Sequence, residues 1–419
     1  MAKKTTKRAQ KKVAAKKADA TKREQAAAPK TKIRYDRILV RYGEMALKSD
    51  VVRRRMEDRL LGNIRSGLDK MQIKYVLHKE MGRIFVETRQ IEETVGVLTH
   101  IFGLVSVSPV QTRVIGSSLE KIAETAERIG RTFITSKDTF ALRARRTGNE
   151  NFTSKMIERE AGGRVQDATQ ARVDLDNPDK TLYVEVRQNK AYFYIEEHAC
   201  PGGLPLGTQG RVVILFSGSV DAAAAAWLMM KRGCTVVPIY FESSPYTDAS
   251  TDERAARVFE TLREWSHGNK MSLRRVPHGK ALFMFTEECR DEHLDVLSKR
   301  QMLRVANLIA KQEGARAVVT GDNLNQNASQ TLENMAVVDR ASELPVFRPV
   351  LTWDKEEILK LAQRIGAFEA ATKEVKPAPR SRRSFPAVRL EDIEREEQKV
   401  DVKKLAEEAA EPVSSKTSS

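Results

Sequence analysis

The chain has 419 residues, 41% of them hydrophobic, and a formal net charge of +16. At roughly 100–200 residues per domain it holds two to four domains, and it is too apolar to be disordered throughout. No apolar run reaches the roughly 18 residues of a membrane span, and no secretory h-region opens the chain. Three irregularly spaced cysteines, Cys200, Cys234 and Cys289, exclude a disulfide framework and a zinc cluster, so a reduced, cytoplasmic setting is expected.

The charge is concentrated at the start. Residues 1–32 carry twelve lysines and arginines against only Asp19 and Glu24, with no apolar periodicity. They are expected to form a solvated, disordered arm. Such an arm adds salt-sensitive, sequence-blind affinity for a polyanion, or serves only solubility, and charge alone does not choose.

After the arm, 33–40 and 74–79 read as strands joined by a helix over 51–66, with a further strand at 84–88. Residues 33–91 thus form a small α+β unit. The next block, 92–197, opens with a helix at 92–99 and contains an amphipathic helix over 119–133, where Leu119, Ile122, Ala123, Ala126 and Ile129 recur at helical spacing. A strand at 139–144, a helix at 151–162 and a hairpin over 181–186 and 190–195 follow. Arg143, Arg145, Arg146, Lys155, Arg159 and Arg164 give this block a basic strip. A solvated helix face supplies some of these charges in any protein.

The turn formers of Pro201–Gly207 mark a linker, and strand–helix alternation begins beyond it. Strands are expected at 211–216, 236–241, 272–276 and 317–320. Helices are expected at 222–231, 252–266, 293–313, 328–337 and 355–365. Apolar strands alternating with helices predict a doubly wound parallel sheet over 198–388. Residues 389–419 read as a charged terminal helix and tail.

Ligands of such sheets bind beyond the carboxyl ends of the strands. The first strand–helix turn is Ser217-Gly218-Ser219-Val220-Asp221-Ala222. Its small residues let backbone N–H groups converge on phosphate at a helix N-terminus, though a tight turn that only packs helix on strand has the same composition. It is neither a Walker A loop nor a dinucleotide-binding glycine motif. A second turn, Gly321 to Thr331, is crowded with amides and hydroxyls, including Gln326, Ser329 and Gln330. It resembles a binding lip, with Ser329 alternatively a helix cap. Lys355 starts a helix against the helix dipole, a local conflict that often marks function, though a merely exposed lysine is the other reading.

These features, in this order, resemble the tRNA 4-thiouridine synthetase (tRNA sulfurtransferase) family over roughly residues 36–375. The marks are Leu39–Lys48, Ile101-Phe102-Gly103-Leu104, Gly202-Gly203-Leu204-Pro205, Ala226–Cys234, Ala328–Asn334, Arg348-Pro349 and Asp354–Ile358. The resemblance implies an α/β multidomain chain. A ferredoxin-like unit and an RNA-binding THUMP domain precede a PP-loop ATP pyrophosphatase domain of the adenine nucleotide alpha hydrolase-like kind, with no rhodanese domain.

The resemblance also implies a reaction. ATP, with Mg²⁺ balancing charge, adenylates O4 of uridine 8 in tRNA, and sulfur then displaces AMP. Asp221 and Lys355 would take the catalytic roles. Ser217, Gly218, Ser219, Val220, Gly321, Gln326, Ser329 and Gln330 would hold the nucleotide, and Arg143, Arg145, Arg146 and Lys155 the RNA. Implied partners are tRNA, an external sulfur donor (sulfide or a persulfide carrier protein) and a second copy in a homodimer, with no membrane.

Departures from the family pattern also stand in the chain. Ser219 replaces the second glycine of the PP-loop, where a Cβ is expected to crowd the backbone and resist positive φ. Ala222-Ala223 replaces Ser-Pro. Ala378 stands where many members carry a catalytic cysteine, and Asp295 and Ser298 stand where others pair cysteines. A catalytically reduced, tRNA-binding relative is therefore the alternative reading.

Overall fold

The computed structural model describes residues 35–80, 82–116, 118–326, 330–375 and 387–411. The arm, Ser329 and Ala378 lie outside these residues. Two compact units make up the chain: one holds Ser108–Glu197 with the residues up to Ile38, the other Leu39–Val107 with the residues from His198 onward. Among the described residues no helix is long and apolar enough to cross a membrane.

Strands β1 (Arg37–Tyr42), β2 (Tyr75–Glu80), β3 (Arg83–Thr88) and β4 (Leu104–Val110) form one sheet in the order β4-β1-β3-β2. Helix Asp50–Lys70 buries Leu60, Ile64 and Leu68, an i, i+4, i+8 stripe that explains why these residues form a helix. The hydrogen-bonding pattern carries this sheet beyond residue 91, because β4 joins it. The β4 segment holds Val105, Val107 and Val110, whose β-branched side chains suit a strand.

In the unit built on Ser108–Glu197, β5 (Thr112–Ile115), β6 (Thr139–Thr147), β7 (Arg172–Val173), β8 (Lys180–Arg187) and β9 (Lys190–Tyr194) pair in the order β5-β9-β8-β6-β7. β6 and β8 run parallel, and β8 and β9 form the expected hairpin. Helix Leu119–Phe133 has the bounds its apolar spacing predicts. Its Ile122, Ala123, Ala126 and Ile129 pack with Ile157, Ala161 and Val165 of helix Ser154–Thr169 over Leu182, Val184 and Val186 of β8.

In the other unit β10 (His198–Ala199) adds an edge to the first sheet beside β4. Then β11 (Arg211–Leu215), β12 (Thr235–Glu242), β13 (Arg274–Pro277), β14 (Val318–Val319) and β15 (Val346–Phe347) form a wholly parallel sheet in the order β13-β12-β11-β14-β15. The doubly wound expectation holds. The strand order reverses between β11 and β14, which opens a crevice at their carboxyl ends.

Both faces of the sheet are covered, as a parallel sheet requires. Val212 and Ile214 of β11 face a core shared with helices Val220–Lys231, Ala249–Arg263 and Lys355–Ile365. Val213 faces the opposite core, shared with helices Gly279–Glu288 and Leu294–Glu313.

Beyond strands β4, β5, β7, β10 and β15, which the sequence reading did not include, other elements also differ from it. Helix Gly279–Glu288 has no side-chain cap, so no start signal announces it. The helix after the second turn begins at Leu332, with Thr331 accepting the Asn334 N–H as its cap, so the cap role open to Ser329 falls to Thr331. The terminal charged segment is two helices, Leu390–Glu397 and Val402–Ala410, because Asp401 caps the second by accepting from Lys404 N–H at 3.0 Å.

Those terminal helices are not a solvated appendage. Ile393, Leu405, Ala406 and Ala410 are buried in the core beside helix Leu294–Glu313. Glu397, buried there, accepts from Arg300 at 2.7 and 2.9 Å and from Arg304 at 2.7 Å. Their charged residues hid an apolar face of only a few positions.

Candidate functional site

β11 ends at Leu215 and the chain turns through Ser217 and Gly218 into helix Val220–Lys231. Gly218 sits at φ +71°, and a Cβ there would stand 2.6 Å from the Cα of Ala255, so both conformation and space demand glycine. Ser219 does not behave as expected. Its φ is −79°, an ordinary extended value, and its hydroxyl accepts the Ala222 N–H at 3.3 Å as the helix N-cap. The Cβ at this position therefore meets no conformational penalty.

Across the switch point, Gly321 follows β14. A Cβ there would lie 2.8 Å from the Ala222 nitrogen, so the two loops approach backbone to backbone. The run Ala222–Ala226, entirely buried, permits the same closeness between helix and sheet.

These loops enclose a crevice of about 470 Å³. Ser217, Ser219, Asp221, Gly321, Gln326 and Gln330 line it, six of the ten sequence-predicted catalytic and nucleotide residues. Gly218 and Val220 are not among its lining residues; Gly218 packs against Ala255 and Val220 into the core. Lys355 stands at the rim, where its Nζ donates to both oxygens of Asp221 at 2.9 Å. The dipole conflict at Lys355 is offset by a capping box between Asp354 and Glu357.

Three charged lining residues were not assigned a site role from sequence: Arg254, Lys299 and Asp322. Asp322 is buried and accepts from Lys299 Nζ at 2.6 Å, Thr320 Oγ1 at 2.9 Å and Gln330 Nε2 at 3.1 Å. Burial alone would raise its pKa. Lys299, Arg348 and the donated hydrogen bonds outweigh that and hold the carboxyl below its ordinary value. Arg254 Nη2 donates to the Ser217 carbonyl at 3.3 Å. The signal for these three was weak, since each is a charged residue on a helix or loop, where charge is unremarkable.

The basic strip lies in the other unit. Arg143 and Arg145 project from the exposed end of β6, and Lys155 is exposed in the first turn of its helix. Arg143 donates to the Leu175 carbonyl at 2.8 Å, Arg145 stands 4.0 Å from Glu197, and Arg146 is held by the Gly148 carbonyl and Glu150. Arg146 is thus largely committed within the fold, while Arg143, Arg145 and Lys155 present charge outward.

Burial disfavours the thiolate form of all three cysteines. Burial pushes the Cys200 thiol up to about 12. Burial, then Glu396, pushes Cys289 up to about 11. Burial raises Cys234, whose Sγ faces the Gln209 carbonyl, in keeping with a structural role. At Cys289 both Glu288 and the sequence-distant Glu396 oppose the thiolate, Glu396 more strongly. Among the described residues no group of three His, Cys, Asp or Glu could hold a metal ion.

A parallel sheet with a glycine turn at its switch point, in a chain that also carries a ferredoxin-like sheet and a separate mixed α+β module, defines an α/β protein with a crevice at the strand ends. Family models agree in order: the ThiI ferredoxin-like domain over 37–108, the THUMP domain over 116–196, and the thiamine biosynthesis protein (ThiI) over 207–402. A protein of Methanosarcina mazei named "Probable tRNA sulfurtransferase" is 38% identical over 89% of this chain and 93% of its own length. A Methanosarcina acetivorans protein of the same name is 41% identical over 80% and 82%. A crystal structure of a 4-thiouridine synthetase–RNA complex with bound ATP superposes with a TM-score of 0.77 at 30% identity, covering 90% of this chain and 98% of that one.

The chain belongs to the ThiI family, whose curated relatives carry the name tRNA sulfurtransferase.

Proposed function

We propose that this chain is an ATP-dependent tRNA sulfurtransferase that makes 4-thiouridine at uridine 8. The observation that carries the reading is the crevice at the β11–β14 switch point, where the Gly218 turn, a helix N-terminus and the Asp221–Lys355 pair converge. The similar 4-thiouridine synthetase binds RNA and ATP, which supports both as ligands here.

In this reading the turn at Ser217–Val220 receives the pyrophosphate end of ATP, Gly321, Gln326 and Gln330 line the remainder of the nucleotide pocket, and Ser329 is proposed as a further nucleotide-binding residue. Uridine O4 attacks the α-phosphorus and pyrophosphate leaves. A sulfur nucleophile then attacks C4 and AMP leaves with the former O4. Lys355, steered by Asp221, supplies positive charge where phosphate charge develops. Asp221 offers the crevice one hard carboxylate, the donor Mg²⁺ takes alongside phosphate oxygens, and Mg²⁺ bound there would neutralise charge on the leaving group.

Arg143, Arg145 and Lys155 present the outward charge that an RNA backbone requires, with Arg146 buttressing that strand end. The raised thiols of Cys200, Cys234 and Cys289 favour an external sulfur donor, sulfide or a persulfide carrier. A homodimer remains part of the proposal.

One observation favours a catalytically reduced, tRNA-binding protein instead. The Ala222 N–H is already engaged by Ser219 and the residue has no hydroxyl, so the loop offers phosphate fewer donors. Mass spectrometry of tRNA nucleosides from cells with and without the protein decides. Loss of 4-thiouridine on deletion supports the enzyme, and an unchanged content supports the alternative.

A further inference from the structure

Three cations line or rim the crevice, and two are already neutralised. Lys355 is held by Asp221 at 2.9 Å and Lys299 by Asp322 at 2.6 Å. Arg254 differs. No carboxylate pairs with it among the described residues; its single hydrogen bond is from Nη2 to the Ser217 carbonyl, 3.3 Å away, and its Nε is buried with no acceptor. Burial also works against its charge.

A half-buried guanidinium without a counter-ion is costly to maintain in an apolar fold. Its place argues for a reason. It projects from helix Ala249–Arg263, directly before Ala255, the residue that forces glycine at 218, and it lines the crevice beside Ser217 and Ser219. A guanidinium offers a rigid fork of donors suited to phosphate oxygens.

We infer that Arg254 is a binding residue for the polyphosphate of the nucleotide, completing with its side chain an anion site whose backbone donors are partly spent on helix capping. The inference rests on the nucleotide reading above and goes beyond it by assigning the pyrophosphate's counter-charge to a residue outside the loop. It also explains how a turn with Ser219 and Ala222 can retain a triphosphate. Fewer donors come from the loop, and one full charge comes from the neighbouring helix.

The test compares nucleotides rather than activity. Affinities for a non-hydrolysable ATP analogue and for AMP are measured by calorimetry on the full chain and on Arg254→Met and Arg254→Lys. Arg254→Met is expected to weaken the ATP analogue about 10-fold or more, the scale of one charge-assisted hydrogen bond, and to leave AMP unchanged. Arg254→Lys is expected to recover part of the loss. Unchanged analogue affinity overturns the inference, as does an equal loss for AMP, which would mark a merely structural arginine. If the unaltered chain binds neither nucleotide, the nucleotide reading itself falls and this inference with it, a result distinct from the other two.

Discussion

Lys355 Nζ stands 2.9 Å from each carboxylate oxygen of Asp221, across the mouth of the crevice and 134 residues away in sequence. The pair ties the start of one helix to the first turn of another. It holds the lysine at the crevice mouth, where the proposed reaction would develop phosphate charge.

Removing that carboxylate tests the chemistry directly. Asp221→Ala is expected to abolish ATP-dependent 4-thiouridine formation in a purified assay and to leave tRNA affinity essentially intact. Retained turnover would remove Asp221 from the reaction.

The turn itself is tested at Gly218 and Ser219. Gly218→Ala forces a Cβ toward the Ala255 backbone at positive φ and is expected to cost about 1–3 kcal/mol in denaturant unfolding, with weaker ATP binding. Ser219→Gly, at an ordinary φ, removes only a cap hydroxyl and is expected to shift stability by a few tenths of a kcal/mol.

Glu397 anchors the terminal helices to Arg300 in the core. Burial alone would raise its pKa, but the hydrogen bonds and charges of Arg300 and Arg304 hold it below the ordinary value. Its contribution to stability is therefore complete above the unfolded glutamate pKa of about 4.3 and is lost as pH falls through the lower folded value. Glu397→Gln is expected to cost about 3–5 kcal/mol at neutral pH, because Arg300 loses its counter-charge, and to flatten the acid limb of stability measured against pH.

For RNA, Arg145→Glu with Lys155→Glu is expected to weaken tRNA binding and reduce the slope of log affinity against log salt, by roughly 0.7–0.9 for each phosphate no longer neutralised. Deleting residues 1–32 is expected to flatten the same slope further. An unchanged slope in either experiment would make those charges bystanders.

The raised thiols make a further prediction. With sulfide as donor, a chain carrying Cys200→Ala, Cys234→Ala and Cys289→Ala is expected to keep forming 4-thiouridine. Loss of turnover in a normally folded variant would point to an internal sulfur carrier.

Much of the fold is legible in the order of residues. Helix Leu119–Phe133 and the β8–β9 hairpin follow from periodicity, because a buried face must recur every 3.6 or 2 residues, and the parallel sheet follows from apolar strands alternating with helices. Ser217 to Asp221, Gly321, Gln326 and Gln330 stood out because small residues and amides clustered at strand ends. The terminal helices did not, since Glu397 is legible as a solvated charge until Arg300, 97 positions earlier, is brought against it.

The pattern of residues indicated most of the folding segments and their buried faces and marked the strand-end turns that line the crevice. Only the tertiary structure decided which charges remain available there, because pairing depends on distances the chain's order does not record. Among the described residues Lys299 and Lys355 meet carboxylates and Arg254 does not, an outcome of how the parallel sheet brings its strand ends and helices together.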